Sequence, residues 1–168
     1  MIKELWTRRS IRSFKDTPIK DEDLRTILSA GLTAPSAVAN YPLELVVIKN
    51  AETKAKIAGF YEFSGFCVQS PLSVLVCYDK DKRTSYFKDS DFGPLDASAA
   101  VQNMLLAATA LNIGSCWTHA LLSVEAYQTL LNLPKNIIPV ALVVLGYTDK
   151  TFEHQDRYDE AKIHHDKW

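Results

Sequence analysis

Three of the six arginines fall within five positions, in Arg8-Arg9-Ser10-Ile11-Arg12. Guanidinium groups are planar forks of donors and a serine hydroxyl adds a neutral one, so a segment leaving a helix here can converge on one anion, with a phosphate the natural guest. The same residues also fit a solvated basic face ending a first helix. In Ala34-Pro35-Ser36-Ala37-Val38-Ala39-Asn40-Tyr41-Pro42, two prolines bracket small residues, which suits close approach by a ligand and equally suits a helix-to-strand turn. Gly114-Ser115-Cys116-Trp117-Thr118-His119 places polar groups in an apolar setting. Cys116 with His119 raises a thiol nucleophile, but no nearby group orients the His or forms an oxyanion site, and core packing is the expectation for Cys116. His154, His164 and His165 with Asp156 and Asp159 carry metal-ligating atoms. Adjacent His rings point apart and no cluster has ligand spacing, so a solvated surface and no metal are expected. GxGxxG and GxxxxGK[ST] are both missing, which leaves Rossmann and P-loop nucleotide sites without support.

These groups need a frame. Asp21 before Leu24, Ile27, Leu28 and Leu32 predicts a capped amphipathic helix over 21–32, ended by Pro35. Residues 43–48 read as a buried strand, 51–63 as a helix, and 72–78 as a second strand followed by a polar surface excursion over 79–91. The Ala- and Leu-rich stretch 96–111 predicts a mostly buried helix with Gly114 as its stop. A short strand at 115–118, a helix over 124–133 and an apolar strand over 137–145 complete the order, so the class is α/β or α+β.

The chain has 168 residues, 47% hydrophobic and 23% charged, with a formal net charge of -1, which fits one globular domain over 1–168. No global field favours nucleic acid or an anionic membrane, so an anion needs a local cluster. The longest apolar runs fall short of a bilayer span and the first ten residues are charged from Lys3 onward, so no membrane segment and a cytoplasmic setting are expected. Cys67, Cys77 and Cys116 suit three reduced thiols. The tail 149–168 holds ten charged residues and three His among twenty, with Phe152, Tyr158, Ile163 and Trp168. It cannot form a core alone, and its aromatics predict an arm laid over its own domain or a partner subunit.

Taken in order, Arg8-Arg9-Ser10-Ile11-Arg12-Ser13-Phe14 with Pro18, Ala34–Ala37, Ala107-Ala108 to Gly114–Trp117, Pro139–Tyr147 and a basic C-terminal arm resemble the nitroreductase family of flavin enzymes, over essentially the whole chain. The resemblance implies an α+β fold with a mixed, mainly antiparallel sheet flanked by helices and an extended C-terminal arm. It further implies an obligate homodimer with non-covalent FMN at each subunit interface. The implied activity is ping-pong: NAD(P)H gives a hydride to flavin N5, and a nitroaromatic or quinone acceptor then takes it from the same pocket.

Carried over residue by residue, Arg8 and Arg9 face the FMN phosphate and the pyrimidine side, Ser10 the ribityl-phosphate region, and Arg12 the electron-rich ring edge. Pro35, Ser36 and Ala37 come from the partner subunit to cover one side of the flavin, and Trp117, Thr118 and His119 run along its dimethylbenzene side. Arg157 matches a second phosphate-binding position, with Lys162 as a substitute. Where the family reads x-Asn-x-Gln-Pro-Trp after Pro-Ser-Ala, this chain has Val38, Ala39, Asn40, Tyr41, Pro42 and Leu43. Asn40 is thus one place out of register as a flavin contact. Ala39 and Tyr41 keep open an alternative, a flavin-binding carrier, sensor or flavin-degrading relative without reductase turnover.

Overall fold

A computed structural model describes residues 2–82, 90–150 and 156–168; Phe152, His154 and most of the 79–91 excursion lie outside the described residues. Four strands, β1 (Leu43–Ile48), β2 (Leu72–Asp79), β3 (Gly114–His119) and β4 (Ile137–Gly146), form one sheet in the order β1-β2-β4-β3. Every strand pair is antiparallel, and the only parallel element among the described residues is an isolated bridge between Ser10 and Ser115. The mixed character expected of the sheet therefore rests on that bridge alone.

β2 and β4 are buried on both faces, which explains why they read as unbroken apolar runs. Leu72, Val74, Val76 and Tyr78 of β2, with Val143 and Leu145 of β4, pack beneath α2 (Asp21–Leu32) and α4 (Gly93–Ala110). Leu75, Cys77, Leu142 and Val144 face the other way, against α3 (Ala51–Ala58), a 3₁₀ segment Glu62–Gln69 and α5 (Val124–Leu131). The register of β2 against β4 shifts between Val76 and Cys77, opposite Ala141 and Pro139, so Val140 is an extra residue beside a proline that has no N–H to give.

Local chemistry corrects three expectations. Lys20, not Asp21, precedes the first turn of α2; no side chain caps it, and Asp21, Glu22 and Asp23 instead place negative charge on the positive end of the helix. The helix expected over 51–63 stops at Ala58, and Gly59 separates it from the 3₁₀ turns. The stop after α4 is Asn112 in the left-handed region (φ 57°), with the Ile113 N–H donating to Ala108 O at 2.8 Å; Gly114 already belongs to β3. All three cysteines are free and buried.

Candidate functional site

A short helix, α1 (Lys3–Thr7), ends immediately before Arg8, so the arginine segment does leave a helix. It then runs beside β3. Ser10 bridges Ser115, the Ile11 N–H donates to Ser115 O at 2.8 Å, and the Lys15 N–H donates to Tyr147 O at 2.8 Å. Glycines allow this close seating: a Cβ on Gly114 would stand 3.0 Å from Ile11 Cγ2, and one on Gly146 would stand 2.9 Å from the Phe14 ring. The backbone contact places Arg8, Ser10 and Arg12 around Cys116. Burial pushes the Cys116 thiol up, while the Arg12 charge, a hydrogen bond with Ser10 and the Arg8 charge pull it back down. The Arg12 guanidinium also lies 5.8 Å from the centre of the Phe66 ring, a cation–π arrangement.

Arg9 turns back, its Nη1 donating to Trp6 O at 2.9 Å and to Arg8 O at 2.8 Å. Arg8, Arg9 and Arg157 line one cleft of about 250 Å³ with Leu5, Trp6, Asp156 and Tyr158. Among the described residues no carboxylate stands within ion-pair distance of Arg8, Arg12 or Arg157, whereas Lys162 is paired with Asp159 at 3.3 Å. Of the two tail cations considered from sequence, Arg157 is the one brought to the N-terminal cluster. Residues 156–168 are all exposed, and the His164 ring stacks on Trp168 at 4.1 Å. This part of the arm is not buried on its own domain.

On β3 the sequence candidates divide by face. Trp117 and His119 are exposed, the latter edge-on to Tyr61, while Thr118 is buried on the opposite face with Cys116. Only Trp117 and His119 present side chains to a ligand along this edge. Ser115, on the same face as Trp117, has a buried hydroxyl without a hydrogen-bond partner.

The Pro35-Ser36-Ala37 segment lies elsewhere, at the first turn of α4. Ser36 Oγ donates to Asp96 Oδ2 at 2.7 Å, the Ala37 N–H donates to Asp96 Oδ1 at 3.1 Å, and the Tyr41 N–H donates to Ser36 Oγ at 2.9 Å. Val38, Ala39 and Tyr41 all have left-handed backbones, at φ 49°, 55° and 46°. Such conformations cost about 1–3 kcal/mol each for residues with a Cβ. Asn40 is half-buried with an ordinary backbone and faces a small closed space with Pro42 and Tyr78. Asp96 was read from sequence only as a helix start; the usable signal is that it is the sole charged residue in the eighteen of α4.

The Nitroreductase family model matches residues 5–73 and 64–147. The chain belongs to the nitroreductase family. Among its members, a protein of Archaeoglobus fulgidus provisionally named an NADH dehydrogenase/NAD(P)H nitroreductase is 37% identical, over 99% of this chain and 98% of its own. An FMN-dependent nitroreductase from Clostridium difficile superposes with a TM-score of 0.89 at 27% identity, covering 100% of both chains. The NADPH:FMN oxidoreductase of Vibrio harveyi, complexed with NAD+, gives a TM-score of 0.86 at 25% identity over 99% of this chain and 77% of its own. Nitroreductase-family architecture thus extends through the arginine segment, the left-handed loop and the edge strand alike.

Proposed function

We propose that this nitroreductase-family protein is an NAD(P)H-dependent oxidoreductase that carries FMN in a homodimer. The observation carrying the proposal is the convergence of Arg8, Arg9 and Arg157 on one cleft, beside Ser10 and Arg12 at the start of β3. The donor set fits the flavin phosphate: a dianion wants two or more guanidinium forks, and here Arg8, Arg12 and Arg157 lack carboxylate partners among the described residues. The names of the similar proteins supply FMN and NAD(P)H as the matching chemistry.

Two subunits are favoured by the length of α4. Arg9 shares a cleft with Thr109 and Ala110, whereas Ser36 and Ala37 are tied to Asp96. Thirteen helical residues separate the two points, roughly 20 Å at 1.5 Å per residue. A flavin with its phosphate on the arginines and its ring under a Pro-Ser-Ala loop is accommodated by a site shared between two chains, as the family resemblance implies. Exposed Leu5, Tyr158, Ile163 and Trp168 supply apolar surface for such a pairing.

FMN, when bound, supplies the hydride exchange. The chain does the rest: Arg8, Arg9 and Arg157 hold the phosphate, and Arg12 sets a positive charge at the ring edge that gains electron density on reduction, raising the potential. Trp117 and His119, exposed along β3, would flank the ring, and the exchange would be with NAD(P)H and then with a nitroaromatic or quinone acceptor. The second reading, a flavin binder without turnover, draws on Ala39 and Tyr41, whose exposed side chains offer no amide to the flavin.

Titration with FMN followed by stopped-flow mixing with NAD(P)H tests both readings. Uptake of FMN, bleaching by NAD(P)H and reoxidation by an acceptor is the expected course. A chain that takes up no FMN overturns the proposal, and bound flavin that stays oxidised selects the binder.

A further inference from the structure

The 36–41 loop is built in a way its own domain does not use. Val38, a β-branched residue at φ 49°, and Tyr41 at φ 46° are 56% and 60% exposed, so the strain at these positions is not offset by burying their side chains. What holds the loop is a closed set of hydrogen bonds. Both oxygens of Asp96 are engaged, one by the Ser36 hydroxyl and one by the Ala37 N–H, and the same hydroxyl accepts from the Tyr41 N–H, so the two ends of the loop are tied to one carboxylate. Asp96 is only 7% exposed and sits in the first turn of α4, where the helix field and the two donors compensate its burial. The surrounding wall is rigid as well. Tyr78 Oη donates to Asp91 Oδ2 at 2.5 Å, and Gly93 lies flat against the Tyr78 ring, where a Cβ would come within 2.2 Å.

We propose that Asp96 is a positioning residue for the flavin of the partner subunit: by holding Ser36 and Ala37 it keeps the strained loop preformed to cover that ring. This rests on the reading of the protein as an FMN-carrying homodimer. Asp96 touches neither cofactor nor substrate and acts through the loop. The carboxylate of one chain therefore governs cofactor affinity at the site whose arginines belong to the other.

The test uses the intact dimer. Asp96→Ala is expected to weaken FMN binding at least about tenfold while sedimentation still shows a dimer, and Asp96→Asn, which keeps one acceptor, to fall between it and the wild type. Asn also serves as the working variant if Ala fails to fold. Co-expression of a differently tagged Asp96→Ala chain with an Arg8→Ala/Arg9→Ala chain gives the decisive reading. In that mixed dimer one site carries both defects and the other carries neither, so one FMN per dimer binds with wild-type affinity. Adding Val38→Gly to Asp96→Ala is expected to recover part of the lost affinity, because glycine takes the left-handed backbone without strain.

Unchanged FMN affinity in Asp96→Ala, mixed dimers in which both sites remain weak, or no recovery with Val38→Gly would each overturn the role assigned to Asp96. A wild-type chain that binds no FMN overturns instead the reading beneath it.

Discussion

Beside the C-terminal end of α4, Arg8, Arg12 and Arg157 stand without carboxylates among the described residues, while at the N-terminal end the helix's one carboxylate is doubly bonded by neutral donors. The first end carries charge that the fold does not balance. The second carries backbone strain that the fold does balance. An unbalanced charge cluster is completed by a ligand of opposite sign, whereas a strained and internally satisfied loop offers a fixed shape. The same protein thus prepares affinity at one end of a helix and geometry at the other.

The sharpest way to break this contrast is Arg8→Ala/Arg9→Ala. Hydrogen bonds to a charged group are worth about 1.5–3 kcal/mol each, so the pair should cost at least about a hundredfold in FMN affinity, read by fluorescence titration. Its melting temperature should hardly move, because half-exposed cations contribute little to folding. Next comes Arg157→Ala. Loss of one charge-assisted contact predicts a ten- to hundredfold weaker FMN complex, about 1.5–3 kcal/mol, with the dimer intact. Lys162→Ala should do nothing to FMN, since that ammonium is already paired with Asp159. Loss of affinity in Lys162→Ala instead would place the arm in a different register.

Gly93→Ala works at the other end. A Cβ there meets the Tyr78 ring at 2.2–2.5 Å, and overpacking of this kind costs about 1–3 kcal/mol. Thermal denaturation should show a melting temperature lower by roughly 3–10 °C. FMN affinity should fall by less than in the double arginine variant. A larger fall in affinity than in stability would mean that the loop end, and not the arginine end, dominates binding.

Much of this was legible beforehand. The strands expected at 72–78 and 137–145 were visible because burial on both faces leaves an unbroken apolar run in the sequence. The stretch 43–48, expected as a buried strand from its β-branched residues between Pro42 and Asn50, is instead an edge strand in which only Ile48 is buried. The arginine segment was visible because charge density needs no tertiary information. The limits of α3 and the true stop of α4 were hidden, since Asn112 ends α4 by a left-handed backbone and Gly59 ends α3 while staying in the right-handed region, shortly before the 3₁₀ turns. Asp96 was hidden for a different reason. Its function depends on Ser36, sixty residues away, and only the packing of α2 against α4 brings the two together. Thr118 illustrates the reverse case: the family resemblance grouped it with Trp117 and His119, but strand alternation turns its side chain to the opposite face.

The smallest expected effect compares the thiol beneath the arginines with one on the sheet face turned away from α4. Cys77 lies in β2 amid apolar neighbours; burial pushes its thiol up to about 12 and the Glu44 charge pushes in the same direction. Cys116 is also raised by burial, but Arg12, Ser10 and Arg8 oppose the shift. Both groups keep their proton in the fold at a pH where the unfolded chain, near 9.0, releases it. The folded state then binds more protons than the unfolded one, so stability is full below about pH 9 and falls as pH rises, until the folded thiol itself ionises. Each pH unit costs about 1.4 kcal/mol per suppressed ionisation, roughly 3–5 °C in melting temperature for a domain of this size. For Cys77 the decline runs to about pH 12. For Cys116 it ends sooner, because the arginines favour the thiolate. Melting curves from pH 8 to 11 on Cys77→Ala and Cys116→Ala should therefore show a shallower alkaline slope in both, with more of the slope removed by Cys77→Ala, whatever the baseline lost to the cavity. Adding Arg12→Ala should prolong the Cys116 contribution toward higher pH. Equal slopes, unmoved by Arg12→Ala, would mean that the arginines exert no field on the thiol beneath them, and the contrast between the two ends of α4 would then rest on geometry alone.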